Sequence, residues 1–256
     1  MSGTRVPPAR GIGRSPLGYS SGTLPGAGPG ELARAVLRAG GTGVDLRIGK
    51  NHCWERDGVC TGIDRIRAEG AEVFFVGVGR RLGDPTGWFD DGQPLPREYP
   101  VKVFCVEHPD RSLVSDQLAA ATEAGLRPWV ETHAGGPDVS GLIDLAERTG
   151  VGVLFDLLGV IEIGGADRSQ LRALAPFVRA AQVKGVRRTE QGTLHRPLRL
   201  PDLSDLVYLL GLGPPRPMTV ESRAGTPGAD LAVLADALSP PATRTDAGPE
   251  PGDVHP

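Results

Sequence analysis

The residues best suited to chemistry lie in the second half of the chain. Arg127-Pro-Trp-Val-Glu-Thr-His-Ala-Gly135 reads as a short β-type run ending in a carboxylate and an imidazole two residues apart, followed by a Gly-Gly-Pro loop. Side chains alternate along a strand, so Trp129, Glu131 and His133 share a face. Asp156 lies inside the otherwise apolar stretch Val151–Val160, where a charge must be paired or must hold a cation. Gln182 and Lys184 follow in the run Ala180–Val186, and Glu221 and Arg223 close the run that begins at Met218. Brought together unaided, Glu131, Asp156 and Glu221 would repel, and at least one pKa would rise. Two arrangements relieve the conflict. A divalent cation could bind among their oxygens, with Mg²⁺ or Mn²⁺ the suitable ions. Alternatively, each acid pairs with a base such as Lys184, Arg223 or Arg47. Ion pairing is the simpler account of any one acid, and a cation the simpler account of the set.

The elements that must position these groups follow a regular rhythm. β-type runs at Leu17–Ser21, Gly43–Ile48, Glu72–Val78, Val101–Val106, Arg127–Thr132, Gly152–Leu157, Ala180–Val186 and Met218–Ser222 are mostly continuous in Val, Ile, Leu or Phe. Such runs suit strands buried on both faces of a parallel sheet. Helical patterns occupy Glu31–Ala39, Gly62–Ala68, Leu113–Ala124, Val139–Arg148, Ser169–Arg179, Leu203–Leu210 and Ala229–Leu238, several stopped by glycine. Eight strands alternating with seven helices predict an α/β fold, a single (β/α)8 barrel over residues 15–238. A doubly wound sheet would show a glycine-rich phosphate turn, and Gly26-Ala-Gly-Pro-Gly30 is a poor match to one. Residues 1–14 and 239–256 have little to bury and read as a flexible tail and a disordered tail.

In such a barrel, function belongs to the C-terminal ends of the strands. Strand two ends Asp45-Leu-Arg47, with Lys50, His52 and Trp54 in its loop. Arg47 is either a clamp for a substrate carboxylate, phosphate or hydroxyl array, or the partner of Asp45 or of a glutamate across the mouth. Lys102 on strand four faces either the pocket or solvent. Arg187, Arg188 and Arg223 lie where barrels often bind phosphate, and His195 falls in a long Arg187–Pro201 loop that either covers the mouth or is exposed.

Bulk properties remove other classes. The 256 residues carry a formal net charge of −3 and are 39% hydrophobic, which gives no electrostatic reason to expect nucleic acid or an anionic membrane as partner. No apolar run is long enough to span a bilayer, and the first residues lack an apolar signal core. Cys53, Cys60 and Cys105 make no disulfide framework, so a cytoplasmic location is expected.

Glu131 in VETH, Asp156 in LFDLLG, Gln182 in QVKG and Glu221 in TVESR together resemble the xylose isomerase-like TIM barrels, over nearly the whole barrel region. The resemblance implies a divalent-metal-dependent isomerase or epimerase of a sugar or sugar phosphate. Its metal ligands would be Glu131, Asp156, Gln182 and Glu221, holding Mn²⁺ or Mg²⁺. Glu131 and Glu221 would move a proton beside a carbonyl through an enediolate. By the resemblance Lys184 and either Arg188 or Arg187 would meet substrate, and from their places at the strand ends Arg47, His52, His133 and Arg223 are further candidates. Two departures stand out: Gln182 replaces the family's histidine, and Gly159 stands where many members carry a histidine. The endonuclease branch, which needs many histidines, is a poor fit to a chain with five. A dehydratase of a polyol-derived ketone and a non-catalytic binding barrel are the alternatives. The expected partner is a small carbohydrate-like molecule, and homo-oligomers are common in that superfamily.

Overall fold

A computed structural model describes residues 15–86, 95–190 and 192–239. The segments read as tails lie outside the described residues, Ser239 apart. Eight parallel strands close into a barrel: β1 (Leu17–Ser20), β2 (Gly43–Arg47), β3 (Glu72–Leu82), β4 (Val101–Cys105), β5 (Pro128–Glu131), β6 (Gly152–Asp156), β7 (Val178–Val183) and β10 (Met218–Val220). Around the ring, β10 sits between β7 and β1, which completes the (β/α)8 order. The strands between β7 and β10, β8 (Gly185–Thr189) and β9 (Gly192–Arg196), form a separate antiparallel hairpin outside the ring. This hairpin occupies much of the region expected to be an irregular loop.

The helices are α1 (Pro29–Arg38), α2 (Val59–Ala68), α3 (Arg111–Glu123), α4 (Val139–Thr149), α5 (Leu157–Glu162), α6 (Arg168–Leu174), α7 (Ser204–Leu210) and α8 (Pro227–Ala237). Aspartates start four of them. Asp110, Asp138, Asp156 and Asp167 each accept a hydrogen bond from a backbone N–H three residues on. Such caps stabilise by about 0.5–2 kcal/mol each. Helix α5 lies inside what reads as the tail of an apolar strand run. The chain turns into it at Asp156, whose side chain satisfies the N–H of Gly159.

The main core fills the layer between barrel and helices, with Leu32, Val36, Ile66, Val103, Leu142, Leu171 and Leu234 almost fully enclosed. A second, smaller cluster joins Phe74, Phe75, Leu154 and Ala180, with Trp129 packed against it. Phe75, Trp129, Leu154 and Ala180 each lie two residues before Gly77, Glu131, Asp156 and Gln182. Strand alternation therefore puts this apolar layer on the same inward face as the polar residues, directly beneath them. Each enclosed Leu or Phe contributes about 1.5–3 kcal/mol relative to exposure, so the polar layer rests on a rigid floor.

Candidate active site

The C-terminal ends of the strands open onto a cleft of about 270 Å³, lined by residues that include Arg47, Glu131, Asp156, Lys184, Glu221 and Arg223. Their positions follow from register. Glu131 ends β5 opposite Leu154, and Asp156 ends β6 opposite Gln182 of β7. Glu221 immediately follows β10, where its N–H donates to the Val183 carbonyl of β7. The three acids and Gln182 thus come together from consecutive strands of one half-barrel.

They do not converge on a common empty centre; two lysines stand among them. Lys184 Nζ lies 2.7 Å from Asp156 Oδ2 and 2.6 Å from Glu221 Oε2. Lys102 Nζ lies 2.9 Å from Glu131 Oε2 and donates to Gln182 Oε1 at 3.0 Å. The other end of the Gln182 amide donates to Asp45 Oδ2 at 2.9 Å, where Thr219 also donates. Arg47 Nη1 reaches across the mouth to Glu221 Oε1 at 2.7 Å. Of the two partners expected for Arg47, it takes the distant glutamate rather than Asp45. A divalent ion requires several oxygens at about 2.0–2.2 Å. Here those oxygens face ammonium groups, and among the described residues no group of three or more His, Cys, Asp or Glu side chains forms a metal cradle. The donor set in this arrangement does not fit the divalent cation that the family resemblance implies.

Electrostatics follow from four acids (Asp45, Glu131, Asp156, Glu221) set against three bases (Arg47, Lys102, Lys184). Burial pushes the Glu131 carboxyl up to about 7. Lys102 opposes that rise, while Asp156 and Glu221 add to it. Burial also raises Asp45, whose Oδ1 has no hydrogen-bond partner. Glu221 moves the other way: burial would raise it, but Lys184, Lys102 and Arg47 together hold it well below the carboxylate range. Lys102 and Lys184 remain charged because neighbouring carboxylates outweigh the cost of burying them.

The remaining candidates are dispersed. His133 lines the cleft, its ring 4.3 Å from that of Phe104, and its Nδ1 lies 2.6 Å from the Ala134 carbonyl. His195, from the hairpin, also lines the cleft, and its Nδ1 accepts from the Arg223 N–H at 3.3 Å. His52 stays outside the lining. It is buried, with Nδ1 3.1 Å from Ser21 Oγ, and Trp54 beside it belongs to the core. Arg188 donates from the hairpin to the Ile161 carbonyl of α5 and does not line the cleft. Gly159 has a steric reason. A Cβ there would lie 1.7 Å from the Thr132 carbonyl oxygen, so α5 packs too closely on the end of β5 for any side chain. Leu158 and Glu162 of α5 complete the wall. Lys102 and Asp45 carry more of the site than their sequence contexts suggest. The signal for Lys102 was the one that singled out Asp156: a lone charge among Val, Phe and Cys.

No family model and no curated protein matches the sequence. Among solved structures, a xylose isomerase domain-containing protein from Salmonella typhimurium superposes with a TM-score of 0.66 at 11% identity, covering 90% of this chain and all of the other. An L-ribulose 3-epimerase gives 0.61 at 15% identity, over 88% of this chain and 94% of that one. The IOLI protein with a bound zinc atom gives 0.61 at 11%, over 87% of this chain and 98% of that one. At these identities the likeness is one of architecture: the chain has the fold of the xylose isomerase-like TIM barrels.

Proposed function

We propose that the protein is an isomerase that moves a proton beside the carbonyl of a small, polyhydroxylated substrate. The observation that carries this reading is that Glu131, Lys184 and Glu221 line one cleft. Glu131 is the base: its carboxyl, raised to about 7, is matched to proton transfer near neutrality. Lys184 is the electrophile. Asp156 and Glu221 engage two directions of its ammonium, and the third N–H remains for the carbonyl oxygen. As Glu131 takes the proton from carbon, negative charge moves to that oxygen and meets a preorganised cation. Return of the proton to the adjacent carbon, with the hydroxyl proton passing between the two oxygens, gives the isomer. Epimerisation would need a second acid on the opposite face, and Glu221 is held ionised there by Lys184 and Arg47. Arg47, Arg223, His133 and His195 line the cleft and offer donors to substrate hydroxyls. A fold shared with an L-ribulose 3-epimerase supports a carbohydrate-like substrate.

The test is incorporation of solvent deuterium into a panel of ketoses, aldoses and their phosphates, followed by NMR. The wild type should catalyse exchange into at least one, and Glu131→Gln should slow it about 10²–10⁴-fold. Equal exchange by the two proteins would remove Glu131 as base. A binding barrel without turnover is the second reading, favoured by the ion pairing of Glu131, Asp156 and Glu221. It predicts sugar binding with no exchange.

A further inference from the structure

We propose that Lys102 and Lys184 take the place of the divalent cation, so that this barrel holds its acids together with two built-in ammonium groups and binds no divalent metal there. The proposal deepens the reading above by assigning the electrophile to the chain itself.

Three observations support it. The lysines divide the acidic set between them, Lys102 taking Glu131 and Lys184 bridging Asp156 to Glu221, all within 2.9 Å. Gln182 is chemically suited to this arrangement. Its carbonyl end accepts from Lys102 while its amide end donates to Asp45, so one neutral side chain joins a cation to an anion. An imidazole offers one ring N–H and one lone pair in a different geometry, and protonated it would repel Lys102. Finally, β3 supplies a slot for the lysine stem. A Cβ on Gly77 would lie 2.8 Å from Lys102 Cε, so the absence of a side chain there lets Lys102 cross the barrel interior. Gly77 pairs with Lys102 in the β3–β4 register. A metal entering this site would have to separate both ammonium groups from their carboxylates, and would then be repelled by them.

The test needs no substrate, so it can fail or succeed independently of the isomerase reading. Purified full-length wild type is stripped with chelator and offered Mn²⁺, Mg²⁺ or Zn²⁺ in turn. Bound metal is measured by elemental analysis and thermal unfolding is followed. No stoichiometric metal and no metal-linked rise in melting temperature is the expected result. One equivalent of metal that disappears in Asp156→Asn would overturn the proposal. Lys102→Met provides the complementary reading: loss of the ammonium should lower the melting temperature by several degrees or prevent folding. An unchanged melting temperature would show that Lys102 does not hold the acids, and would equally overturn it.

Discussion

Lys102 is 3% exposed, and its charge is tolerable because Glu131 and the Gln182 carbonyl face its ammonium, with the Glu221 and Asp45 carboxylates nearby. The path of its stem depends on Gly77, a residue with no functional group. Gly77→Ala should therefore act through the lysine: the new methyl would push Cε aside and lengthen the contacts to Glu131 and Gln182. A loss of about 1–3 kcal/mol is expected, the range for overpacking a filled interior, read by denaturant unfolding. In a Lys102→Met background the same change should cost less, because the more adaptable methionine has no charge to misplace. Equal costs in both backgrounds would mean that Gly77 serves the backbone rather than the lysine.

At the scale of elements, Asp156 links strand chemistry to helix formation. Its Oδ1 caps α5 through the Gly159 N–H, while Oδ2 lies against Lys184. Asp156→Ala should thus destabilise by about 2–4 kcal/mol, because Lys184 keeps only Glu221 as its carboxylate partner and α5 loses its cap. It should also increase hydrogen exchange in residues 157–162. The hairpin β8–β9 is anchored by its last residue, Arg196, which makes a two-pronged contact with Asp202 at 2.7 and 2.6 Å. Asp202 in turn accepts from the Arg199 N–H. Asp202→Asn should cost about 1 kcal/mol, because the pair is partly exposed, and should speed exchange across the hairpin. These two elements are also where sequence reading stopped short. The apolar run Val151–Val160 has no periodicity that distinguishes the end of a strand from a one-turn-and-a-half helix, and Asp156 reads first as a site residue rather than as a cap. The hairpin strands carry Arg187, Arg188, Thr193 and His195 in place of a hydrophobic stripe, so nothing in their composition announces a sheet. The eight barrel strands were legible because both of their faces are buried, which makes their sequences continuous in branched apolar residues. The inward direction of Glu131, Asp156 and Gln182 followed from the same strands. The choice between a metal and ion pairs depended on the path of Lys102 across the interior, which strand alternation alone does not supply.

Across the whole molecule, the polar network ties distant strands together: Arg47 of β2 to Glu221 after β10, and Lys102 of β4 to Gln182 of β7. With four acids and three bases in contact, the pH dependence of folding should report the surplus acid. Glu131 is raised from 4.5 to about 7, chiefly by burial. Between those values the folded protein holds a proton at Glu131 that the unfolded chain releases, so rising pH in this window favours unfolding. Below pH 4.5 both states are protonated at this residue and its contribution is flat. Glu221, held low in the fold, acts in the opposite sense, but its stabilising contribution is already complete above 4.5 and is lost only as pH falls further. His52 and His195 are both lowered, chiefly by burial, and add stability as pH rises towards 6.5, so the bare profile mixes opposing slopes. Subtraction isolates the carboxyl. Glu131→Gln cannot ionise and so lacks the penalty, while the histidines are common to both proteins. The unfolding free energy of the wild type minus that of the variant should be level below pH 4.5, fall steadily between pH 4.5 and 7, and level again above. A difference that stays constant across this range would place Glu131 fully ionised beside Lys102 throughout, and would leave the site without a base tuned to neutral pH.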